Sequence, residues 1–301
     1  MKLIELPYKE FIVKGDQVIK EYEGACRWIE SLGLPYVRGR FGLYHESIKN
    51  SLKTIREAEE PDEKVNEFIK YLNSYAEATE LIRLKNSFSS RKHEEYIDKL
   101  QHVTSGQPFR NSSKSDSSRS FGFELSMAAR LITAGYETDI NELADIVSKI
   151  NGRNVYFECK RIKSIKKLRE RVKSANLQLK KRLLKDKSTG ARGIAAINVT
   201  DILNPQYNFV VADSNEEIKK SHSNQMNEFV ISNETLLKTK ASKKILGIIC
   251  EYNLYGYVRN EKPFDIINCR GIKFLQYDNR PSSDKIIMEI AERISNQNII
   301  R

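Results

Sequence analysis

The stretch FGFELSMAARLITAGYETDINELADIVSKINGRNVYFECK, residues Phe121–Lys160, decides the fold. It reads as a helix followed by a β-hairpin. Leu143, Ala144, Asp145, Ile146 and Val147 lie in the first hairpin strand, and Asn154–Lys160 form the second. Between them Asn151-Gly152 is the dipeptide that most readily takes the positive φ angles of a two-residue type I′ turn. Such a turn sets Ile150 opposite Arg153 and, further from the turn, Asp145 opposite Glu158. Directly opposed residues of an antiparallel pair point to the same face, with Cβ atoms about 4.5–5.5 Å apart. Two like charges so placed repel, and a hard divalent cation between them removes the penalty. A three-residue loop would slip the pairing by one and turn Asp145 to the other face.

Alternation along the second strand sorts its side chains. Val155, Phe157 and Cys159 fall on one face and can pack into a core, while Tyr156, Glu158 and Lys160 fall on the other, expected to be polar. An ammonium at Lys160 stabilises the ionised form of nearby carboxylates and can stabilise a developing anion on a substrate.

Asp145, twelve further residues and then Glu158-Cys159-Lys160 resemble the core motif of the PD-(D/E)XK nuclease superfamily. The preceding helix with Glu124 in FELSMAARL, the following helix with Gln178 in ANLQLKKRL, and a later apolar strand complete the similarity. It covers roughly Phe121 to Asn253, and Ala144 stands where the namesake motif has proline. The resemblance implies a restriction-endonuclease-like α/β fold, a mixed central sheet flanked by helices. It further implies metal-dependent hydrolysis of phosphodiester bonds, in DNA above all, in a bacterial defence or restriction setting. By the same resemblance Asp145 and Glu158 hold Mg²⁺ or Mn²⁺, the Cys159 backbone carbonyl is a third ligand, and Glu124 holds a second ion directly or through water. Lys160 then serves the transition state, and Gln178 the attacking water or a phosphate.

The net charge of +11 is unevenly spread. Residues 1–104 carry 17 basic against 18 acidic side chains, whereas residues 121–301 carry 31 against 21. Arg153–Arg192 alone holds 15 basic and 3 acidic residues, a field of one sign that attracts a polyanion. Arg161, Lys163, Lys166, Lys167, Lys173, Lys180, Lys181 and Arg192 are the expected contacts to a nucleic-acid backbone. Two other readings stay open: a catalytically inactive nucleic-acid-binding module on the same fold, and a structural protein whose basic helix meets an acidic partner protein. Cys26, Cys159, Cys250 and Cys269 are far apart with no C-x-x-C pair, which argues against zinc and a disulfide framework and fits a reducing cytoplasm. No uninterrupted apolar stretch approaches a membrane span, and there is no phosphate-binding G-x-x-x-x-G-K-[ST] loop.

Three segments follow. Residues 1–104 form a helical N-terminal domain, with Asp16 as N-cap of a first helix, a second helix over 46–58, a third from Pro61 and a fourth over 91–102. This domain is the candidate surface for a partner protein or a homo-oligomer. Residues 105–120, TSGQPFRNSSKSDSSRS less its first residue, read as a flexible Ser-rich linker. Residues 121–301 form the α/β domain. In it Ser164 caps an amphipathic helix, residues 193–200 and 245–250 are buried strands, and 284–294 is a closing helix. His45, His93 and His102 lack a second ligand at helical spacing and read as structural. Arg38 and Arg40 lie in a loop from which either reaches a phosphate or none at all. Tyr252, Tyr255 and Tyr257 either stack on bases or cap a core.

Overall fold

The computed structural model describes residues 2–11, 13, 15–37, 39–108, 117–140, 145–239, 242–259, 266–278 and 280–298. Arg38, Leu143, Ala144 and the 109–116 portion of the expected linker lie outside the described residues. In chain order the elements are β1 (Lys2–Ile4), α1 (Gly15–Ser31), α2 (Arg40–Glu57), α3 (Pro61–Phe88), α4 (Ile97–Thr104), α5 (Ser117–Thr133), β2 (Glu137–Asp139), β3 (Ile146–Ile150) and β4 (Arg153–Arg161). There follow α6 (Ile165–Lys185), β5 (Arg192–Asn198), α7 (Thr200–Leu203), β6 (Val210–Ala212), α8 (Asn215–Ser232), α9 (Glu234–Leu237), β7 (Ile245–Val258), β8 (Ile266–Gln276) and α10 (Pro281–Ile294). The protein is α/β, with a mixed eight-stranded sheet. It divides into two compact units, a sheet unit of Met1–Glu10, Arg130–Pro205 and Val210–Gln297, and a helical unit made chiefly of Phe11–Ala129 with Gln206–Phe209.

These boundaries differ from the expected ones at both ends. The first ten residues belong to the sheet unit, where β1 pairs with β8. The expected linker does not run to 120, because α5 starts at Ser117. Serine is close to neutral for helix formation, and here buried pairing decides: Arg119 Nε donates to Glu77 Oε1 at 2.9 Å inside the helical unit. Arg40 also turns inward, 4% exposed and 3.4 Å from Glu77 Oε2, so it is no surface contact for a phosphate. The core of this unit is the stripe Tyr22, Ala25, Cys26 and Ile29 of α1 with Leu72, Ala76, Leu81 and Ile82 of α3. The second helix starts at Arg40, six residues before the expected start, and the fourth is broken into a short 3₁₀ turn (His93–Glu95) and α4.

In the sheet unit the strand order is β1-β8-β7-β5-β4-β3-β2, with β6 beside β7. The β4–β5, β5–β7 and β6–β7 pairings are parallel, and those of β1 with β8, β8 with β7, β4 with β3 and β3 with β2 are antiparallel. Parallel neighbours need a crossover, and α6 supplies it between β4 and β5. Ser164 caps α6 by accepting from Lys166 N at 3.3 Å, as expected. Leu168, Val172, Ala175, Leu179 and Leu183 then pack on Tyr156, Ala195 and Ile197 of the sheet, beside Ile218, Met226 and Phe229 of α8. The buried strand expected at 245–250 extends well beyond it, as the single long strand β7. Among the described residues no disulfide forms, and no helix is long and apolar enough to cross a membrane.

His222, on α8, ties the first residues to this unit. It is fully buried, its Nδ1 lies 2.7 Å from Tyr8 Oη, its Nε2 lies 2.9 Å from Tyr252 O, and its ring stacks on Tyr252 at 4.8 Å. Tyr252 therefore caps the core and does not offer its ring to a base. Burial pulls the His222 pKa from 6.5 down to about 4, with the nearby Lys273 charge adding to the fall. The folded state thus binds fewer protons at this group than the unfolded chain. Its stability contribution is full above pH 6.5 and is lost as pH falls toward 4, amounting to about 3 kcal/mol at most. Chemical denaturation at intervals across that window should show wild-type stability rising with pH, and His222→Gln should flatten the slope.

Candidate functional site

The hairpin that builds the site forms in the expected register. Asn151 and Gly152 take φ values of 50° and 71°, and the ladder runs from Ile150↔Arg153 to Ile146↔Phe157. Glycine meets the left-handed requirement without strain, and asparagine is among the few side chains that tolerate it. The ladder ends one residue short of the Asp145–Glu158 pair. Asp145 sits in a bend, and its carboxylate does not simply stand on the sheet face opposite Glu158. Instead Asp145 Oδ2 accepts from Cys159 N at 2.7 Å. Where the first strand leaves the ladder, the next N–H of β4 on that side needs another acceptor, and a carboxylate makes a strong one. This contact carries the Asp145 side chain to the residue between Glu158 and Lys160.

Glu158 departs from expectation in burial. The Tyr156–Glu158–Lys160 face is not an open polar surface, because α6 covers it. Tyr156 is 8% exposed and Glu158 is 0% exposed, while Val155, Phe157 and Cys159 are buried on the opposite face. Strand alternation separates the faces but does not say whether one of them meets solvent. The Glu158 carboxylate is held by two cations. Lys160 Nζ lies 2.6 Å from Oε1, and Arg182 Nη1 of α6 donates to Oε2. The Lys160 and Arg182 side chains are each 19% exposed, so the pair of acid and bases opens to solvent through its cations. Arg182 immediately precedes the buried Leu183 and lies one helical turn after Gln178, whose buried Oε1 has no hydrogen-bond partner among the described residues.

The remaining predicted residues divide cleanly. Glu124 lies in the helical unit, where Lys99 Nζ takes its carboxylate at 2.8 Å. Among the described residues no three His, Cys, Asp or Glu side chains gather as a metal-ligand group. Cys159 brings only its backbone to the site, since its thiol is on the far face of β4. Arg161 is not a surface contact: its Nη2 donates to Asp201 Oδ1 at 2.9 Å, and both side chains are under a tenth exposed. Lys163, Lys166, Lys167, Lys173, Lys180 and Lys181 are exposed, with Lys167 paired to Glu170 at 2.7 Å. Arg192 is half-buried at the far end of β5, where its Nη1 donates to Thr189 O and Ala191 O. Burial, then the like charges of Arg153 and Arg280, lower its pKa.

Arg182 was not singled out by sequence reasoning. Its signal is slight: one more basic residue among fifteen, at the edge of the apolar stripe. A second buried acid was also missed, Glu251 on β7, which follows directly on the run ILGIIC. It is held by Arg130 Nε at 3.2 Å, Arg270 Nη2 at 3.1 Å and Asn198 Nδ2 at 3.0 Å.

By donor chemistry the Asp145–Glu158 pair fits a hard divalent cation, since both are carboxylates and both reach the same stretch of β4. Both Glu158 oxygens are already taken by nitrogen cations. Compared with protein family models, curated proteins and solved structures, the chain matches none.

Arg161→Ala should lower the stability of the protein by about 3–5 kcal/mol, because it leaves Asp201 charged and buried without its cation. Lys180→Ala, on the exposed face of α6, should change stability by less than about 0.5 kcal/mol in the same denaturation experiment.

Proposed function

We propose that the sheet unit is a restriction-endonuclease-like phosphodiesterase acting on nucleic acid, DNA above all, centred on Asp145, Glu158 and Lys160. The observation that carries the reading is the Asp145–Cys159 contact at 2.7 Å, which draws the first acid onto the strand bearing the second acid and the lysine. The order of α5, the β3–β4 hairpin, α6 and β5 supports the same fold reading.

Asp145 and Glu158 would hold Mg²⁺ or Mn²⁺, which supplies an activated water and neutralises charge at the phosphoryl group. Lys160 holds an ammonium beside Glu158 on a side chain that reaches solvent. From there it donates to a non-bridging phosphate oxygen as negative charge builds. Gln178 offers its unpartnered Oε1 as an acceptor for a water hydrogen. Lys166, Lys173, Lys180 and Lys181 line the outer face of α6 and bind phosphates without reading sequence.

One observation favours a second reading, a non-hydrolytic nucleic-acid-binding module. Glu158 is fully buried and both its oxygens are engaged, as in a purely structural ion cluster. The two readings share a salt-dependent affinity for nucleic acid and differ in cleavage.

Duplex, single-stranded and branched DNA and RNA, incubated with Mg²⁺ or Mn²⁺, decide between them. Hydrolysis that EDTA stops, and that falls at least about 100-fold in Asp145→Ala, Glu158→Ala and Lys160→Ala while binding persists, is the expected result. Salt-sensitive binding with no cut in any substrate establishes the non-hydrolytic module. Cleavage retained in all three variants removes these residues from the chemistry.

A further inference from the structure

Among the described residues the Glu158 carboxylate already faces two cations, Lys160 at Oε1 and Arg182 at Oε2, while Asp145 Oδ2 accepts from Cys159 N on the same strand. A divalent ion added to this cluster brings two more positive charges to a carboxylate that is 0% exposed. Excess charge of one sign in a water-poor place is costly, so a cation must leave or an anion must enter. The two resident cations are not equally free to go. Lys160 is anchored on the same strand, two residues from Glu158. Arg182 reaches across from another element on a long side chain, and its guanidinium is the group best suited to a phosphate, which it can grip with two parallel hydrogen bonds. Exposed Lys180 and Lys181 precede it on α6 and Lys185 follows, so a polyanion held there lies next to Arg182.

We propose that Arg182 is an exchangeable latch: it occupies Glu158 Oε2 until a nucleic-acid phosphate draws its guanidinium away, which frees Glu158 for a divalent ion. No covalent bond changes in this step; one ion pair is traded for another. The proposal rests on the phosphodiesterase reading and adds an order to it. Metal and phosphate bind cooperatively through one arginine, and the coupling is reciprocal: each ligand tightens the other by the same factor. A merely structural Arg182 would lower stability when removed and leave the coupling intact.

The test measures Mn²⁺ binding from the paramagnetic resonance signal of the free ion, in the full-length protein, with and without a phosphorothioate duplex. For the wild type the duplex should tighten Mn²⁺ binding by about tenfold or more. Arg182→Gln should bind Mn²⁺ about tenfold more tightly than the wild type with no duplex present, and gain little when the duplex is added. Arg182→Lys keeps the charge and carries the same comparison should the glutamine variant fail to fold, with coupling between the two extremes. Equal Mn²⁺ affinity and equal coupling in wild type and variants overturn the latch and leave the phosphodiesterase reading standing. No Mn²⁺ binding by any of the proteins, with or without duplex, overturns both.

Discussion

The burial of one carboxylate in the middle of a sheet is the constraint on which the site depends. Glu158 lies on β4 beneath α6 and is 0% exposed. A charge in such a place must be matched by opposite charge and hydrogen bonds, or folding stops at a less compact state. Lys160 supplies the first match from two residues along the strand, and Arg182 supplies the second from the covering helix. The geometry of that helix follows in turn. The β4–β5 pairing is parallel, so α6 must cross back over the sheet, and its apolar stripe fixes the rotation that aims Arg182 downward.

Glu251 shows what a closed version of the same solution looks like. Its partners Arg130 and Arg270 are themselves buried, with side chains 2% and 6% exposed, and Arg130 also donates to Ile294 O at 2.9 Å. That network is far less open to solvent, and it ties β7, β8 and α10 together. The cluster at Glu158 differs in one respect: both of its cations are 19% exposed. An acid locked from every side is a structural element. An acid whose counter-ions stand at the surface is one that a solute can reach by exchanging with them, and this difference singles out Glu158 of the two.

The parts of this arrangement that were legible in the sequence are those fixed by local backbone chemistry. Asn151-Gly152 demands a left-handed turn, and the turn alone sets the register of the hairpin. Ser164 and the stripe from Leu168 to Leu183 announce α6 in the same way. What was not legible depends on which surfaces meet. Strand alternation put Glu158 and Lys160 on one face but carried no mark that α6 would cover it. Arg182 is one basic residue among many, and only its neighbour Leu183 reveals that it points inward. Arg161 misled for the opposite reason, being a cation in a basic run whose buried partner, Asp201, lies forty residues away. The three-residue β2 has no alternation long enough to read, and Ser117–Ser120 entered a helix because of pairing with Glu77, which a local serine count does not register.

The functional reading requires little of the fold. Leu179 and Leu183 press against the strand at Gly193, where an added Cβ would meet their methyl carbons at 3.3 and 3.2 Å. A helix packed this closely does not slide or rotate without opening a void on one side and a clash on the other. Its backbone is therefore a fixed platform for the Arg182 side chain. Moving a guanidinium from one oxygen to another needs only rotations about side-chain bonds, whose staggered minima are separated by small barriers. Access to the buried acid is then set by a competition between anions for one arginine, and the exposed lysines of α6 determine which anions are present to compete.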